Sequence, residues 1–443
     1  MSGDRPWNGR RLHFVGIGGA GMSGLALVAA QLGAEVTGSD RSATSSYAKR
    51  LAAAGIVVLE GHDAGHVPET AELVVSTAIP EANPERAEGR RRGLRELHRA
   101  QLLGELTQLK PTIAVAGTHG KTTTSSMVVH ALERCGLAPS YLVGGEVRST
   151  GTNAAWGTGE WLVVEADESD RSLLALSPTV AVLTNAELDH HTTYASQREV
   201  DATFRAFLDL ADTAVVWNRP ELLQLVPAGR RVVPFDVSEP DLGPDGSAFE
   251  LDGIRVEVPV PGAHNARNAA AALAACRLAG ADPLRAAEGL RDFAGAGRRF
   301  EQLGVSPRGA VVVDDYAHHP TEVRATLEAA RTLGARRVIA VFQPHLFSRT
   351  QRHADEFGEA LALADVVVVC DVYPARERAE DFPGVDGHMV AVAAADHAAG
   401  RPVAWMPSLA DAERHLRSLL REGDLLLTLG AGDIDSLGRS LLG

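Results

Sequence analysis

One run of eight residues, 117–124 (GTHGKTTT), constrains the fold of this chain more than any other feature. The apolar residues 112–116 precede it and predict a buried strand, whereas residues 122–133 follow it and predict a helix that ends near Gly136. A glycine-rich turn between a strand and a helix offers a phosphate unpaired backbone N–H groups and the positive end of the helix dipole. The run therefore predicts a layer of parallel strands and helices with a phosphate-binding loop at its edge.

Two side chains of this loop have the chemistry expected for a nucleoside triphosphate. The chain has 43 lysines and arginines, of which only Lys49, Lys110 and Lys121 are lysine, so a lysine in the loop indicates that a compact ammonium is required there. We expect Lys121 to contact the terminal phosphates and Thr122 to bind Mg²⁺. The usual pattern has glycine where Val115 stands, which makes this a shortened variant of the loop. A Gly/Thr-rich helix start without a ligand is the alternative interpretation.

The length and composition predict a soluble protein of several domains. At roughly 150 residues per domain, 443 residues suggest about three domains, and a hydrophobic content of 45% supplies apolar side chains for several cores. No stretch reaches the roughly 18 apolar residues of a membrane span, and the first residues lack the apolar core of a signal peptide. We therefore expect a cytoplasmic protein. Three widely separated cysteines fit reduced thiols better than disulfides or a zinc site: Cys135, Cys276 and Cys370.

The charge of the chain argues against nucleic acid as a partner. The formal net charge is −14, so a phosphate backbone would be repelled over most of the surface. The arginine-rich stretch 86–99 also contains Glu88 and Glu96. We interpret it as a solvated helix or loop face, with binding of an anionic ligand as the alternative.

Short apolar strands alternate with alanine-rich helices along most of the chain, which is typical of parallel α/β layers. A predicted helix over 102–110 ends at Pro111, another begins at Asn268, and the Pro/Gly-rich residues 232–260 predict an antiparallel β segment. The other predicted strands cover residues 12–15, a segment that ends at Asp40, 56–59, 73–76, 161–164, 180–183, 311–314, 337–342, 366–370 and 425–429.

A second glycine-rich turn follows the first predicted strand. Gly16, Gly18 and Gly21 match the dinucleotide-binding fingerprint, and Asp40 supplies the acidic residue about twenty positions on. The physics of this turn requires only that a diphosphate approach a helix N-terminus, so NAD and a nucleotide-sugar diphosphate fit equally well. A tight turn without any ligand is the structural alternative.

Acidic and histidine side chains come directly after two strands of the central block, where open α/β sheets bind ligands. Mg²⁺ prefers oxygen ligands and keeps several waters, so one carboxylate and one imidazole would suffice beside ATP phosphates. We interpret the cluster as a metal site, and a solvated acidic face is the alternative. Its members are Glu165, Asp167, Glu168, Asp170, Asp189, His190 and His191.

Two loops of the last block carry a similar mixture of charged side chains at predicted strand ends. Their position favours a site for a charged group, although surface or helix-capping histidines would give the same pattern. The residues are Asp314, Asp315, Tyr316, His318 and His319 in one loop, and His345 and Arg349 in the other.

Taken together, these segments resemble the Mur ligase family, the ATP-dependent amide-forming enzymes of peptidoglycan precursor synthesis, over nearly the whole chain. The motifs FVGIGGAGMSG, GTHGKTTT, EADESD, TN-x-E-x-DH, HNARNAAAA, GRRFE, DDYAHHPTE, QPH and LTLGAGDI carry the resemblance. Within the family they look like those of the member that adds the first amino acid. The resemblance implies UDP-N-acetylmuramate, L-alanine and ATP as substrates, acting through an acyl phosphate and giving ADP and phosphate.

The resemblance also implies an α/β fold of three domains. These are an N-terminal Rossmann-like UDP-sugar-binding domain over 1–104, a central P-loop ATPase-type domain with a small antiparallel β segment over 105–297, and a C-terminal Rossmann-like domain over 298–443. No membrane span and a monomer or weak homodimer are expected.

Site residues follow from the resemblance motif by motif. The UDP-sugar residues would be Gly18, Gly19, Ala20, Gly21, Met22, Ser23, Ser39, Asp40, Ser76, Thr77, Ala78 and Ile79. ATP would be bound by Gly117, Thr118, His119, Gly120, Lys121, Thr122, Thr123, Asn268, Arg299, Asp315 and His318. Thr122, Glu165 and His190 would bind Mg²⁺, for which Mn²⁺ would substitute. Lys121, His190 and Glu165 would be catalytic, and His345 and Arg349 would face L-alanine.

Two departures from the family pattern stand out. Many relatives need a carbamylated lysine after the DH motif, but no lysine follows Lys121 and Arg205 stands near that place, so this modification is not expected. Leu346 follows His345 where arginine is expected in many alanine-adding members, which leaves the choice among L-alanine, glycine and L-serine open.

Four other functions account for part of the pattern. A ligase that attaches a recycled peptide to the same sugar, or a glutamate-adding relative that acts on folate, would share the motifs, although the UDP-type first domain argues against folate. An NAD-dependent dehydrogenase would explain Gly16 to Gly21 but not the phosphate loop. A non-catalytic nucleotide sensor would not need the acidic cluster.

Overall fold

The computed structural model describes residues 5–191 and 193–443. The chain forms two compact units. The first comprises the chain up to Asp236 together with Ala270–Gly289, and the second comprises Val237–Ala269 together with Leu290–Gly443.

The first unit begins with a five-stranded parallel sheet in the order β3-β2-β1-β4-β5. This 3-2-1-4-5 order places the turn after β1 at the point where the winding direction reverses, which is where such sheets bind ligands. The elements are β1 (Arg11–Val15), α1 (Ala20–Gln31), β2 (Glu35–Asp40), α2 (Ser46–Ala53), β3 (Val57–Glu60), β4 (Glu72–Val75), α3 (Pro84–Arg92), β5 (Glu96–His98) and α4 (Arg99–Thr107).

A seven-stranded sheet follows in the same unit, in the order β12-β11-β10-β6-β9-β7-β8. All neighbouring strands run parallel except β7 and β8. The elements are β6 (Thr112–Ala116), α5 (Lys121–Arg134), β7 (Ser140–Val147), β8 (Thr152–Ala155), β9 (Leu162–Glu165), β10 (Val180–Leu183), α6 (Gln197–Asp209), β11 (Thr213–Trp217), α7 (Pro220–Leu223) and β12 (Arg231–Phe235).

One hydrophobic core runs through both sheets of the first unit. The close packing of α1 against β8 joins them, because a Cβ on Gly24 would lie 3.1 Å from the Ala154 Cβ. The Asn153 side chain, also on β8, donates from Nδ2 to the Ala20 carbonyl at 3.0 Å. The first turn of α1 is therefore held by the second sheet.

The second unit contains a three-stranded antiparallel sheet and a six-stranded sheet in the order β16-β17-β21-β18-β19-β20. The larger sheet is parallel except for β16 and is covered by an apolar core on each face. Next along the chain come β13 (Asp241–Gly243), β14 (Gly246–Leu251), β15 (Ile254–Val258) and α8 (Ala263–Leu278). The part of α8 from Ala270 onward and α9 (Pro283–Gly289) belong to the first unit. The remaining elements are β16 (Glu301–Val305), β17 (Val311–Asp315), α10 (Pro320–Arg331), β18 (Arg337–Phe342), α11 (Phe347–Leu361), β19 (Val366–Val369), α12 (Gly387–His397), β20 (Val403–Trp405), α13 (Leu409–Leu419), β21 (Asp424–Leu429) and α14 (Ile434–Ser440).

Three sequence-based expectations about elements were wrong. The expected antiparallel segment over 232–260 begins too early, because Arg231–Phe235 pairs in parallel with β11. Pro234 is tolerated there because β12 is an edge strand. The helix expected from Asn268 starts five residues earlier, at Ala263, and the helix expected over 102–110 spans Arg99–Thr107.

The arginine-rich stretch is largely a solvated helix face, since Arg90 and Arg91 of α3 are exposed, but its last residue is not. It forms α3 and β5 and ends at the start of α4, with Arg86 paired to Glu96 at 2.6 Å. Arg99 is largely buried and bonds to two aspartates. Within the described residues, no helix is long and apolar enough to cross a membrane.

Candidate active site

Three neighbouring strands of the seven-stranded sheet, β10, β6 and β9, carry the central motifs at their carboxyl ends. The strands run parallel and are almost fully buried, so their following loops meet at one sheet edge. The phosphate loop follows β6, the acidic motif follows β9, and the TN-x-E-x-DH motif follows β10. The edge thus brings a cationic loop together with carboxylates.

The phosphate loop adopts a backbone that requires glycine at two positions. Gly117 has φ 136° and Gly120 has φ 81°, and a Cβ on Gly117 would collide with the Thr184 hydroxyl. Gly120 is the N-cap of α5, and no side chain caps the helix there. The first N–H groups of α5 therefore have the arrangement that binds phosphate.

The loop after β10 holds the phosphate loop in shape. Thr118 Oγ1 donates to the Glu187 carbonyl at 2.9 Å, and Thr184 Oγ1 donates to the His119 carbonyl at 2.6 Å. The Asn185 side chain accepts from the His119 N–H and donates to the His119 carbonyl, both at 2.9 Å. The TN-x-E-x-DH motif is visible in the sequence, but these bonds from Thr184 and Asn185 to the phosphate loop were not predicted from it.

Lys121 lies at the meeting point of the loops. Its Nζ donates to the Gly117 carbonyl at 2.7 Å and to the Thr118 carbonyl at 3.2 Å. It also lies 2.9 Å from Oε2 and 3.0 Å from Oε1 of Glu168, a side chain that is nearly fully buried. Glu168 belongs to the acidic cluster identified in the sequence, but it was not among the predicted site residues.

The surrounding carboxylates keep Lys121 charged. Burial disfavours the ammonium, but the negative charges of Glu168, Asp167 and Glu165 outweigh it and raise the pKa of Lys121. Burial likewise disfavours the Asp167 carboxylate, yet Lys121 and Arg99 together lower its pKa. The cluster is thus a set of mutually compensated charges, as expected for a phosphate site that is pre-formed.

The predicted metal-binding residues lie around the same edge. Thr122 Oγ1 donates to Glu165 Oε2 at 2.9 Å, and the Gly144 N–H donates to the same oxygen at 2.7 Å. His190 Nε2 lies 3.3 Å from Glu168 Oε1. A hydroxyl, a carboxylate and an imidazole beside a phosphate loop fit the ligand chemistry of Mg²⁺.

The glycine-rich turn after β1 is held by the end of β2. Gly16, with φ 80°, and Ile17 both donate from their backbone N–H to the Ser39 carbonyl, at 2.8 and 2.9 Å. The Gly18 N–H donates to Asp40 Oδ2 at 2.8 Å, and a Cβ on Gly18 would lie 2.9 Å from that carboxylate. Asp40 therefore fixes the turn, and glycine is needed at position 18 because of it.

The Ser39 side chain points into a buried polar network. Its Oγ donates to Glu85 Oε1 at 2.6 Å, and Glu85 is fully buried. His62 Nδ1 lies 3.0 Å from the same carboxylate oxygen, and His13 Nε2 lies 2.7 Å from the other. Burial favours the neutral acid, but hydrogen bonds from His13, Ser39 and His62 outweigh it and lower the pKa of Glu85. The Ser39 hydroxyl is therefore already hydrogen-bonded to Glu85 within this network.

A cavity of about 460 Å³ opens beside the five-stranded sheet and the predicted sugar residues. Ser76, Thr77 and Ile79 line it, whereas Ala78 is not among its lining residues. Ile79 also packs against the turn, since its Cδ1 would lie 2.9 Å from a Cβ on Gly16. The other lining residues are Val75, Pro80, Glu81, Arg86, Glu96, His98 and Gln101.

In the second unit, the loop after β17 gathers several predicted residues. Asp315 accepts the Ala317 and Phe300 N–H groups at 2.8 and 2.9 Å. His318 and Arg299 share Glu322: the His318 N–H donates to Oε2 at 3.1 Å, and Arg299 Nη1 lies 3.5 Å from Oε1. This loop is polar, partly buried and rich in charge.

The two residues predicted to bind the amino acid lie together in the same unit. His345 Nδ1 is 3.3 Å from Arg349 Nη1, and the His345 ring contacts the rings of His318 and Tyr373 at 5.8 and 5.9 Å. Leu346 has φ 70° and is buried at the start of α11. The departure from the family pattern at Leu346 therefore falls next to this cluster.

Asn268 lies within the first turns of α8 and is buried. Its Nδ2 donates to Asn265 Oδ1 at 3.3 Å, and Asn265 in turn donates to the Pro261 carbonyl at 2.8 Å. These two bonds connect the HNARN motif in the first turns of α8 to the residues just before the helix.

Comparison with known proteins agrees with these motifs. Family models match residues 11–111 (Mur ligase family, catalytic domain), 115–276 (Mur ligase middle domain) and 298–432 (Mur ligase, glutamate ligase domain). The chain is 45% identical to a UDP-N-acetylmuramate–L-alanine ligase of Streptomyces avermitilis, over 98% of this chain and 97% of the relative. It is 44% identical to the Rubrobacter xylanophilus protein of the same name, over 98% and 99%. The crystal structure of a UDP-N-acetylmuramate-alanine ligase from Thermotoga maritima matches with a TM-score of 0.83 and 28% identity, over 97% of this chain and 98% of that one. The predicted family and α/β fold class are confirmed, and the chain belongs to the Mur ligase family.

Proposed function

We propose that this protein is an ATP-dependent ligase that joins L-alanine to the lactyl carboxylate of UDP-N-acetylmuramate, giving ADP and phosphate, in peptidoglycan precursor synthesis. One observation carries the proposal: a phosphate loop and a cluster of carboxylates meet around Lys121 at a single sheet edge. The names of the full-length relatives support the choice of substrates.

The reaction needs an activated acid, because a carboxylate is a poor electrophile toward an amine. A lactyl carboxylate oxygen attacks the γ-phosphorus of ATP, the bond to the β-γ bridging oxygen breaks, and ADP leaves. The neutral amine of L-alanine then attacks the acyl carbon of the acyl phosphate. The tetrahedral intermediate expels phosphate, and the amine loses a proton to leave the amide.

The first unit supplies the phosphate chemistry in this proposal. Residues 117–123 cradle ATP, and the Lys121 ammonium neutralises charge that develops on the transferred phosphoryl group. Thr122, Glu165 and His190 would hold Mg²⁺, which supplies positive charge beside the phosphates when bound; Mn²⁺ would substitute for it. Lys121, Glu165 and His190 are therefore the proposed catalytic residues.

The remaining predicted residues keep their proposed roles. Residues 18–23, with Ser39, Asp40 and residues 76–79, form the UDP-sugar site, in which Ser39 acts through its backbone carbonyl. Asn268, Arg299, Asp315 and His318 are proposed to bind ATP. His345 and Arg349 are proposed to bind L-alanine. We retain 1–104, 105–297 and 298–443 as the proposed domain limits.

No carbamylated lysine takes part in this proposal, because no lysine follows Lys121. Arg205, near the expected place, is exposed and donates from Nη2 to the Gln224 carbonyl at 2.8 Å. We further propose a cytoplasmic monomer or weak homodimer that does not bind nucleic acid.

Phosphate release from ATP and Mg²⁺ tests the function. We expect release only when UDP-N-acetylmuramate and L-alanine are both present, and loss of release in Lys121→Ala. Lys49→Ala, at an exposed helical lysine, is the matched control and should behave as wild type. If UDP-N-acetylmuramate is inert while another acceptor works, the substrate assignment fails. If release needs no acceptor, the ligase itself is excluded.

A further inference from the structure

The side chain of Arg99 lies between the acidic motif after β9 and the glycine-rich turn after β1. It is the first residue of α4, and its Nη2 bonds to Asp167 Oδ2 at 3.1 Å and to Asp170 Oδ2 at 2.8 Å. Both aspartates belong to the acidic motif after β9. One guanidinium therefore faces two carboxylates.

The other end of the guanidinium reaches the glycine-rich turn. Arg99 Nη1 lies 3.7 Å from the position of a Cβ on Gly21, in the first turn of α1. That helix has no side-chain cap and no acidic residue in its first turn. The Arg99 side chain keeps 19% of its surface exposed, so the cation is reachable from solvent.

We propose that Arg99 is a binding residue for the diphosphate of the UDP-sugar, and that Asp167 and Asp170 hold it in position. This inference rests on the proposed function, since it takes a nucleoside diphosphate as the ligand of the turn at Gly21. A guanidinium presents a planar fork, so one edge serves the aspartates while the other donates to phosphate oxygens.

The charge balance explains why a cation is needed beside the two aspartates. Asp170 Oδ1 accepts the Ser172 N–H at 3.0 Å, and Asp167 Oδ1 accepts the Ser169 N–H at 2.9 Å, so both carboxylates are fixed by their own loop. Without Arg99, two negative charges would remain beside the turn and would repel a diphosphate. Arg99 thus provides attraction and removes repulsion.

The same contacts link the two sites. Arg99 holds Asp167, and Glu168, the next residue, holds Lys121. Arg99 is therefore placed to orient the acidic loop when the diphosphate binds.

The two possible roles of Arg99, a purely structural ion pair and a diphosphate-binding residue, lead to different effects of substitutions on UDP binding. If the pair only stabilises the fold, Arg99→Ala and Asp170→Asn should change UDP binding in the same direction. If Arg99 binds the diphosphate, Arg99→Ala weakens binding, whereas in Asp170→Asn the Asp167 carboxylate still holds the cation and one negative charge is removed, so binding stays equal or becomes tighter.

Calorimetric titration with UDP, together with turnover of UDP-N-acetylmuramate, tests the proposal. We expect the Kd of UDP to rise about tenfold in Arg99→Ala, to stay equal or fall in Asp170→Asn, and to be partly restored in Arg99→Lys. Arg95→Ala is the matched control, because Arg95 also bridges two carboxylates, those of Glu72 and Glu105, and is 60% exposed.

Three outcomes overturn the proposal: unchanged UDP affinity in Arg99→Ala, an equal loss in Asp170→Asn, or an equal loss in Arg95→Ala. Thermal unfolding of each variant identifies a loss that comes from misfolding, and Asp170→Asn then decides, since it retains the cation. Failure of the wild type to turn over UDP-N-acetylmuramate while it still binds UDP rejects the proposed substrate but leaves the role of Arg99 decided by the titrations.

Discussion

The Lys121 ammonium lies 2.9 Å from a carboxylate oxygen of Glu168, and the same carboxylate lies 3.3 Å from His190 Nε2. Glu168 thus connects a side chain of the phosphate loop to one of the DH motif. Because Glu168 is nearly fully buried, its charge is compensated by the Lys121 ammonium and not by water. We infer that Glu168 orients both residues before nucleotide binds.

Replacing Glu168 by Gln should impair catalysis more than ATP binding. The amide keeps the shape but removes the charge that holds Lys121 and His190, so kcat for phosphate release should fall about 10- to 100-fold while KM for ATP changes little. Steady-state kinetics with ATP varied give both constants. Glu160→Gln, at an exposed position, should match the wild type. A rise in KM alone would show that Glu168 serves only to bind nucleotide.

Replacing Gly144 by Ala should weaken metal binding without unfolding the protein. A Cβ there would lie 2.6 Å from Glu165 Oε2, the oxygen that also accepts from Thr122. A carboxylate at the end of a flexible side chain can move away, so the fold survives but Glu165 is displaced. We expect the Mg²⁺ concentration for half-maximal activity to rise about tenfold. Gly243→Ala is the control, since nothing lies within 4 Å of its Cβ position. Equal Mg²⁺ dependence in both variants would remove Glu165 from the metal site.

Local patterns in the sequence were sufficient to predict the parts of the site that local chemistry determines. The phosphate loop and its strand were predicted because glycine, lysine and threonine act within one turn, and β6 spans the predicted residues Thr112–Ala116. The pairing of Lys121 with Glu168 could not be predicted, because it joins residues 47 positions apart across two strands. The buried contacts of Arg99 were missed for the same reason, since its partners lie 68 and 71 positions further on.

The direction of β12 could not be predicted from the sequence either. The Pro/Gly-rich composition around β12 indicated an antiparallel segment, but pairing with β11 is decided by the sheet and not by composition. The helix expected from Asn268 begins at Ala263 because Gly262, with φ 100°, ends the preceding segment. Sheet pairing thus accounts for the misplaced β12, whereas a local glycine turn accounts for the start of α8.

The buried Glu85 should make the stability of the five-stranded sheet and its helices depend on pH. Its pKa is lowered in the folded protein, so its stabilisation is complete above the unfolded value near 4.5 and is lost as the pH falls through the lower folded value. Glu85→Gln should destabilise this sheet by about 1–3 kcal/mol at pH 7. The difference in stability between the variant and the wild type should shrink below pH about 4.5.

Hydrogen exchange of the β1 amides reports this local stability. Glu60→Gln, at an exposed strand end, serves as the control. A difference between Glu85→Gln and wild type that stays constant from pH 3 to pH 7 would contradict a charged Glu85 in the network.

Arg298 should be a major stabilising residue of the second unit. Its Nε donates to Asp314 Oδ2 at 2.9 Å, and its Nη1 and Nη2 donate to the Gly432 and Gly430 carbonyls at 3.1 and 2.9 Å. Asp314 is fully buried, and Thr428 Oγ1 donates to its Oδ1 at 2.7 Å, so Arg298→Ala would leave a buried carboxylate without its cation, at a cost of about 3 kcal/mol. Arg298→Lys keeps the positive charge but not the planar guanidinium, so it should lose less stability than Arg298→Ala.

The change should be measured by hydrogen exchange of β17 and β21, the strands that Arg298 ties to the loop after β21. Arg378→Ala, at an arginine whose side chain is 77% exposed, should leave the exchange unchanged. A double variant, Asp314→Asn with Arg298→Ala, separates two causes of the lost stability. If the charge that has lost its cation dominates, the Asp314→Asn/Arg298→Ala double variant should be more stable than Arg298→Ala alone, because no buried carboxylate then lacks a cation. If the lost bonds to Gly430 and Gly432 dominate, the double variant should be no more stable, and the ion pair would not be the source of the stability.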